Sequence, residues 1–433
     1  MNRTGAAEAT LVVIVVLAAA VLFGRGLHQA TSYDEGVYLA SVDALRHGQQ
    51  LGSEVFASQP PGFYVLLRAE TGAAGRSVTR TRAGMLVLAL AGILAAYALG
   101  HALAGSRGGI AAAGVLATAP AYAAESVRVA ADTPSVSLAL AALALAAWAR
   151  GRSVALAAIA GAVFAAALSV KLLVLPFVVP LALILRRPRP FGAAALGALV
   201  VAGGLALAFA ASLGAIWHDA VSFHLSANNL GGGNARHVIN FFDLTTPFTW
   251  IVAAGACAAA VRRRHIALWL FVATVIAFLL AQRPLLDHHF VLLAAAGAVA
   301  AASSLPLGRP IVAAALALAI AAGWMQQWRQ IGRNDAPEPG AVLTAARNLR
   351  AQTAPAELVG ADLPIVAFRA DRRLPGELVD TSAVRFLSGS LTDAKVLATL
   401  EHARVRTVVV GREFAARPRL LAGLRRYRVL RVG

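Results

Sequence analysis

The 433-residue sequence has little charge, one cysteine and only two lysines. Charged residues make up 14% of the chain and hydrophobic residues 59%, so a soluble protein of this size could not cover its surface with polar groups. The single cysteine, Cys257, excludes a disulfide framework within the chain and a cysteine-based metal site. These absences predict a polytopic membrane protein.

Arginine carries nearly all of the positive charge, because Lys171 and Lys395 are the two lysines. A net charge of +18 would suit a nucleic-acid-binding protein. The arginines, however, lie in short clusters between apolar runs, without interleaved aromatic residues. We therefore predict no nucleic-acid partner, and the excess of arginine and alanine indicates a bacterial source.

Apolar runs long enough to cross the ~30 Å core of a bilayer recur along most of the chain. They predict about eleven transmembrane helices: Leu11–Leu27, Ala83–Ala102, Gly109–Ala124, Pro134–Ala149, Val154–Val170, Leu172–Leu185, Phe191–Leu213, Pro247–Val261, Ile266–Ala281, His289–Ala302 and Pro310–Met325. The expected fold class is an all-α polytopic membrane protein.

Arginine-rich connections predict the orientation, because cytoplasmic loops are enriched in Arg and Lys. If the connections that contain Arg107, Arg150, Arg187, Arg263 and Arg309 lie inside, the N-terminus is cytoplasmic and the C-terminus extracytoplasmic. The apolar stretch at residues 60–75 must then be a juxtamembrane or re-entrant helix. Three arginines of the first loop lie outside in this arrangement, which counts against it.

Acidic residues are distributed on one side of this predicted topology. Before Asp335, only Glu8 lies on the inner side; the outer acids are Asp34, Glu35, Asp43, Glu54, Glu70, Glu125, Asp132, Asp219, Asp243 and Asp287. Because Asp and Glu contribute little to topology, this distribution indicates chemistry at the outer face.

The composition changes near residue 332, where charge density rises and prolines mark a linker. The segments AELVGAD, RVRTVVVG and YRVLRVG predict strands, and residues 392–404 and 413–425 predict helices. Alternating strands and helices are typical of a small α/β domain with parallel pairing. We predict two domains, a membrane module at residues 1–331 and an extracytoplasmic domain at residues 332–433.

Asp34 and Glu35 follow the first hydrophobic helix directly. Desolvation at a membrane face raises the basicity of a carboxylate, which suits Asp34 to accept a proton from a hydroxyl group. Two solvated loop acids are an equally good interpretation of the pair alone.

Arg128 and Asp132 lie four residues apart, just before a predicted helix, and a helical arrangement would place them on one face. A structural Arg–Asp ion pair is the simpler interpretation. Lys171 is flanked by apolar runs, where a compact ammonium suits contact with a phosphate. A snorkelling cation is the alternative.

Histidines occur in two outer segments. The long loop after the seventh helix contains candidates for substrate or metal binding: His218, His224 and His237. Solvated loop histidines are commoner, and no tight ligand spacing is present. A metal is not expected at Asp287-His288-His289, because adjacent residues do not share a helical face.

These features resemble the GT-C superfamily of integral-membrane glycosyltransferases, in its protein O-mannosyltransferase and aminoarabinose-transferase branch. The matching residues are Asp34-Glu35, Gln59-Pro60-Pro61 with following aromatics, Arg82, Arg128 with Asp132, and Ser169-Val170-Lys171. The seven-helix module, large outer loop and DHHFVLLAAA segment are also similar. Order and spacing over the membrane portion carry the resemblance.

The resemblance implies a polyprenyl-phosphate-linked sugar as donor and a lipid, glycan or protein hydroxyl as acceptor, with a divalent cation left open. It implies that Asp34 is the general base and that Glu35 and Asp132 position the acceptor or face a metal. The implied donor-phosphate contacts are Lys171, Arg128 and Arg82. Gln59 departs from the family, where Lys or His is frequent at this position.

Two other functions stay open. A transporter or lipid-linked-sugar flippase would place ionisable residues near the midplane and often shows repeats, whereas here the acids lie at one face and no repeat is visible. An inactive family member could act as a binding protein through its outer domain. The C-terminal domain itself is expected to bind acceptor or to serve packing.

Overall fold

The computed structural model describes residues 3–150, 152–226 and 233–432, and most of them are helical. The α-helices in these ranges are α1 (Arg3–Gly24), α2 (Tyr33–Arg46), α3 (Pro61–Ala74), α4 (Val78–Thr118), α5 (Pro120–Glu125), α6 (Asp132–Ala149), α7 (Val154–Val170), α8 (Val178–Ile184), α9 (Pro188–Ala208), α10 (Leu213–Trp217), α11 (Phe223–Ser226), α12 (Asn234–Phe241), α13 (Pro247–Arg262), α14 (Ile266–Ala281), α15 (Val291–Ser304), α16 (Pro310–Arg333), α17 (Gly340–Gln352), α18 (Pro364–Ala370), α19 (Ala383–Leu387), α20 (Asp393–His402), α21 (Arg412–Ala415) and α22 (Pro418–Leu424). Tighter 3₁₀ turns span Arg25–His28, Leu172–Phe177, Asp287–Phe290 and Gly376–Leu378, and a π-turn spans His218–Ser222.

Five of the described helices are long and apolar enough to cross a membrane: α1, α4, α6, α9 and α16. Every one of the eleven predicted ranges overlaps a helix, so the mostly helical membrane fold is confirmed. The number of crossings stays a prediction. Two predicted helices are merged in α4, which kinks where Gly105 has φ 71°, a left-handed conformation that favours glycine.

The chain forms two compact units, and each combines segments that are distant in the sequence. The first unit consists of residues 1–27, 82–205 and 231–335, and the second of residues 28–81, 206–230 and 336–433. The predicted boundary near residue 332 lies close to the last division, but the second unit also includes residues 28–81 and 206–230. A functional division into residues 1–331 and 332–433 stays a prediction.

The core of the first unit is centred on α15, in which every residue is buried. Close helix packing is possible there because small residues face one another. A Cβ added to Gly255 of α13 would lie 2.5 Å from the Cα of Ala301 of α15. Since lipid is as apolar as the helix faces, such close van der Waals contact is a main source of helix association in membranes.

The second unit contains a three-stranded parallel sheet in the order β1 (Gly360–Ala361), β2 (Thr407–Val410), β3 (Arg428–Arg431). Val408 of the central strand is fully buried with Leu400 of α20 and Leu424 of α22. The three strands lie in the three predicted segments. The prediction of a small α/β domain with parallel pairing is therefore confirmed.

Helix α2 packs against α18 of the C-terminal region. Gly36 permits this approach, because a Cβ at that position would lie 2.9 Å from the backbone nitrogen of Ile365. The α2 residues from Glu35 to Ala44 are all buried. Packing of this density against the C-terminal region holds α2 at a defined place in the second unit.

Polar contacts hold the start of α2 in the same unit. The hydroxyl of Tyr33 accepts a hydrogen bond from the backbone N–H of Thr381 at 2.8 Å. The carboxylate of Glu338 accepts hydrogen bonds from the Thr31 hydroxyl and from the Arg369 guanidinium, both at 2.6 Å. The segment that enters α2 is therefore tied to the C-terminal region by side chains from both.

Glu70 of α3 is a half-buried carboxyl whose Oε2 has no hydrogen-bond partner among the described residues. Burial raises its pKa to about 7. The folded protein therefore retains a proton that an unfolded chain, with a Glu pKa of ~4.3, has released. Stability from this proton is present at low pH and lost as pH rises through about 7.

We expect Glu70→Gln to raise stability at pH 8 and to leave it nearly unchanged at pH 4, below the unfolded pKa of ~4.3, because the amide stays neutral. The gain at pH 8 should be at most about 4 kcal/mol. Thermal unfolding of the purified chain in detergent at both pH values measures it. Glu401→Gln, at an exposed glutamate, is the matched control, and an equal response of both variants would contradict the assignment.

Candidate active site

The eight predicted site residues fall into two sets. Asp34, Glu35, Gln59 and His224 belong to the second unit, and Arg82, Arg128, Asp132 and Lys171 belong to the first. Each set has its own geometry within its unit.

Asp34 is exposed in the first turn of α2, while its neighbour Glu35 is buried. The Ser32 hydroxyl accepts from the Glu35 backbone N–H at 3.3 Å, and the Glu35 carboxylate accepts from the Ser32 N–H at 2.9 Å. This reciprocal capping box fixes the start of the helix. The capping box gives Glu35 a structural role, and it holds Asp34 in the first turn of a well-defined helix. Catalytic roles for both residues stay predictions.

Gln59 is also buried, and its side-chain amide donates to the Tyr38 hydroxyl at 3.1 Å. The Tyr38 ring lies edge-on to Phe63, with centroids 4.8 Å apart. Gln59 thus joins α2 to the segment that starts α3, in place of the charged residue frequent in the resembling family. Its predicted contact with substrate is untested.

His224 is half-buried in α11, and residues 227–232 of its loop lie outside the described residues. Nearby, the buried carboxylate of Asp219 accepts a hydrogen bond from the Ala57 backbone N–H at 3.0 Å and lies 3.1 Å from Nδ1 of His218. Burial raises the pKa of Asp219. Asp219 therefore fixes the backbone at Ala57. The sequence identified it only as one of the acids predicted to lie on the outer side.

In the first unit, Asp132 and Lys171 form a buried ion pair. The Lys171 ammonium donates to both carboxylate oxygens of Asp132, at 2.7 and 2.8 Å. Lys171 is 7% exposed and Asp132 is 2% exposed. Asp132 starts α6, and Lys171 lies in extended backbone between α7 and the following 3₁₀ turn. Lys171 is therefore a paired group inside the protein rather than a snorkelling cation.

The expectation that Arg128 and Asp132 share a helical face is wrong, because residues 126–131 are not helical. The Arg128 side chain instead lies 3.6 Å from a Glu125 carboxylate oxygen and remains 43% exposed. Arg82 is almost fully buried, and its guanidinium donates to the Leu27 carbonyl at 3.2 Å. Of the two arginines, only Arg128 has an exposed charge available to a ligand.

His288 and His289 lie beside Asp132. One ligand atom from each of the three residues is within 4.8 Å of the others, the one such group among the described residues. Burial lowers the pKa of His288 to about 4, although the Asp132 carboxylate acts in the opposite direction. The imidazole is therefore neutral at pH 7, which is the form that binds metals.

Two imidazoles and a carboxylate fit a divalent cation such as Zn²⁺. The Lys171 ammonium already occupies both oxygens of Asp132, so a cation would compete with it. Adjacent histidines do not share a face of a regular helix, which is why the sequence predicts no metal there. In the structure the two histidines lie on a 3₁₀ turn, and the tertiary fold brings Asp132 beside them.

The fold matches solved structures of GT-C glycosyltransferases. ArnT from Cupriavidus metallidurans bound to undecaprenyl phosphate aligns with a TM-score of 0.68 and 15% identity, over 100% of this chain and 90% of that one. In the apo state its TM-score is 0.65, with 15% identity over 85% and 86% of the two chains. No family profile and no curated protein sequence matches the chain.

A second match is the archaeal oligosaccharyltransferase AglB from Archaeoglobus fulgidus, in complex with an inhibitory peptide and a dolichol-phosphate. It has a TM-score of 0.56 and 13% identity, over 94% of this chain and 70% of that one. The chain thus shares the fold of these structures, as the resemblance of its sequence predicted, and five of its described helices are long and apolar enough to cross a membrane. The flippase alternative gains no support from these matches.

Removing one partner of the Asp132–Lys171 pair should destabilise the protein by about 3–5 kcal/mol, because it leaves an uncompensated buried charge. We expect Asp132→Leu and Lys171→Met each to lower the unfolding midpoint strongly, and the double variant to recover most of the loss. Thermal unfolding in detergent measures all three.

The exposed pair Glu401–Arg426, 3.0 Å apart, is the matched control. Its single variants should change stability by less than about 1 kcal/mol. Additive losses in the Asp132–Lys171 double variant would contradict a coupled buried pair.

Proposed function

We propose that the protein is a membrane glycosyltransferase that transfers a sugar from a polyprenyl-phosphate-linked donor to an acceptor hydroxyl at the extracytoplasmic face, with inversion. The observation that carries the proposal is a GT-C fold over the whole chain that aligns with ArnT bound to undecaprenyl phosphate. The alignment with AglB in complex with a dolichol-phosphate and a peptide supports the same donor class.

Asp34 is our choice for the general base. Its carboxylate is exposed, sits on a capped helix and is held by packing of α2 against α18. It takes the proton of the acceptor hydroxyl while that oxygen forms a bond to the anomeric carbon. The bond from that carbon to the donor phosphate breaks, and the polyprenyl phosphate leaves with the electron pair.

Lys171 and Arg128 are assigned to the leaving phosphate, since cations aimed at charge that develops in the transition state are usually the largest catalytic term. Lys171 uses two of its three N–H protons on Asp132, so one remains for a phosphate oxygen. Arg82 has a smaller role, because it is buried against the Leu27 carbonyl.

A divalent cation, held by Asp132, His288 and His289, would supply further positive charge to the phosphate when bound. Without it, Asp132 orients the ammonium and positions it by two hydrogen bonds. We place the N-terminus in the cytoplasm and the C-terminal domain at residues 332–433 outside a bacterial cell membrane, supported by the arginine distribution. Acceptor binding is assigned to the C-terminal region, beside Gln59 and His224.

Release of free polyprenyl phosphate by the purified chain, supplied with lipid-linked donor and acceptor, tests the activity itself. Movement of intact donor across a vesicle membrane without release would overturn it. Mass spectrometry of lipid-linked sugars that accumulate in a deletion strain identifies the donor sugar.

Asp34→Asn should lower the turnover rate by roughly 10²–10⁴-fold, the usual contribution of a general base, without lowering the unfolding midpoint. Single-turnover assays with saturating donor measure the rate. Asp393→Asn, at another acid in a first helical turn, should retain full activity. Near-normal turnover of Asp34→Asn would remove Asp34 from the mechanism.

Lys171→Ala should weaken donor binding more than acceptor binding, because the ammonium contacts the donor phosphate. Titration of each substrate at a fixed concentration of the other separates the two effects. Lys395→Ala removes the other lysine, which lies in the C-terminal region, and should change neither. Equal weakening of both substrates by Lys171→Ala would indicate a purely structural lysine.

A further inference from the structure

A basic pocket lies within the second unit, and none of the predicted site residues lines it. Its volume is about 700 Å³, and four arginines contribute to its wall: Arg76, Arg347, Arg350 and Arg369. Asp371 is the one acid in that wall. The pocket is thus strongly positive in a chain that has few charges overall.

Two of these arginines belong to the scaffold. The Arg76 guanidinium pairs with the Asp43 carboxylate, and its Nε lies 3.0 Å from Oδ1 of Asp371. Its Cζ also lies over the Phe368 ring, 4.7 Å from the ring centre. The Asp371 carboxylate is therefore already used by Arg76.

Arg369 donates to Glu338 at 2.6 Å through Nη2. Its Nε is buried and has no hydrogen-bond partner among the described residues. An orphaned N–H of this kind needs an acceptor, and a bound anion would provide one.

The other two arginines carry the unbalanced charge. Arg347 and Arg350 are exposed and lie one turn apart on α17. Within the described part of the chain, the Arg347 side chain donates to the Thr344 hydroxyl at 3.1 Å, and neither guanidinium pairs with a carboxylate. Like charges at this spacing repel each other, and an anion between them would relieve that repulsion.

We propose that this pocket binds a phosphate-class oxyanion carried on a molecule with an apolar part. Guanidinium groups match the geometry of phosphate through paired hydrogen bonds. The pocket wall also includes the apolar side chains of Leu343 and Phe368, which suit a hydrocarbon portion. The inference is independent of glycosyl transfer. A phospholipid headgroup and a soluble phosphate compound share this chemistry.

Calorimetric titration of the purified full chain in non-ionic detergent distinguishes the two sources. The probes are dihexanoyl phosphatidic acid, dihexanoyl phosphatidylcholine and inorganic phosphate. We expect the phosphatidic acid to bind about tenfold more tightly than the phosphatidylcholine, because its headgroup presents a terminal phosphate dianion. Equal affinity for inorganic phosphate would assign the pocket to a soluble ligand of the same class.

The double variant Arg347→Gln/Arg350→Gln should weaken phosphatidic acid binding about tenfold or more through the loss of charge-assisted hydrogen bonds. Arg412→Gln/Arg419→Gln removes the same charge from two other exposed arginines of the unit and should leave binding unchanged. If the glutamine variant of the pocket unfolds, Arg347→Lys/Arg350→Lys replaces it in the test, because it keeps the charge. We expect the lysine variant to bind phosphatidic acid more weakly than the unmodified chain without losing binding.

The proposal would be overturned if neither dihexanoyl phosphatidic acid nor inorganic phosphate bound. Equal losses in the two glutamine double variants would also overturn it, because binding would then follow net charge rather than the pocket.

Discussion

The packing of α2 against α18 is the constraint on which the rest of the second unit depends. Gly36 lies so close to the backbone of Ile365 that a side chain there would collide with it. The same helix presents Asp34 in its first turn. Because a catalytic group must be held within about an ångström of its working position, the C-terminal region acts as a support for the proposed base. A packing role for that region is compatible with its proposed contact with acceptor.

A buried ion pair has the corresponding place in the first unit. Either charge alone would be costly to bury away from water. When Asp132 and Lys171 are buried together, their mutual attraction roughly offsets the free-energy cost of desolvating both. Such a pair contributes little net stability but fixes the position of an ammonium. The neighbouring histidines add an alternative, since a cation bound by Asp132 would displace Lys171 from it. The Lys171 ammonium and a metal ion would therefore compete for one carboxylate.

The fold is shared with ArnT and AglB at only 13–15% identity. Apolar helices in a membrane tolerate extensive exchange among Ala, Val and Leu, because burial and close packing rather than particular side chains stabilise them. Fold similarity alone does not establish chemistry. For that reason the catalytic roles within the proposed function depend on a few polar groups, above all the exposed carboxylate of Asp34 and the paired ammonium of Lys171.

Local pattern was sufficient for the helices and for the C-terminal strands, because the length of an apolar run and the alternation of side chains are properties of neighbouring residues. The capping box of Ser32 and Glu35 is also a local feature. The sequence nevertheless predicted a role for Glu35 in catalysis rather than in capping the helix. Contacts across the chain were not accessible in this way. Lys171 pairs with an aspartate 39 residues away, and Thr31 with a glutamate 307 residues away.

By itself the sequence determined a set of apolar helices typical of a membrane protein and a small α/β region after them. The placement of its acids at the outer face stays a prediction. Only the tertiary structure decided which charges meet: that Asp132 takes Lys171 rather than Arg128, that two histidines join it, and that four arginines line one pocket. The physical reason is that the energy of a charge depends on its neighbours in space, and a linear pattern does not specify them.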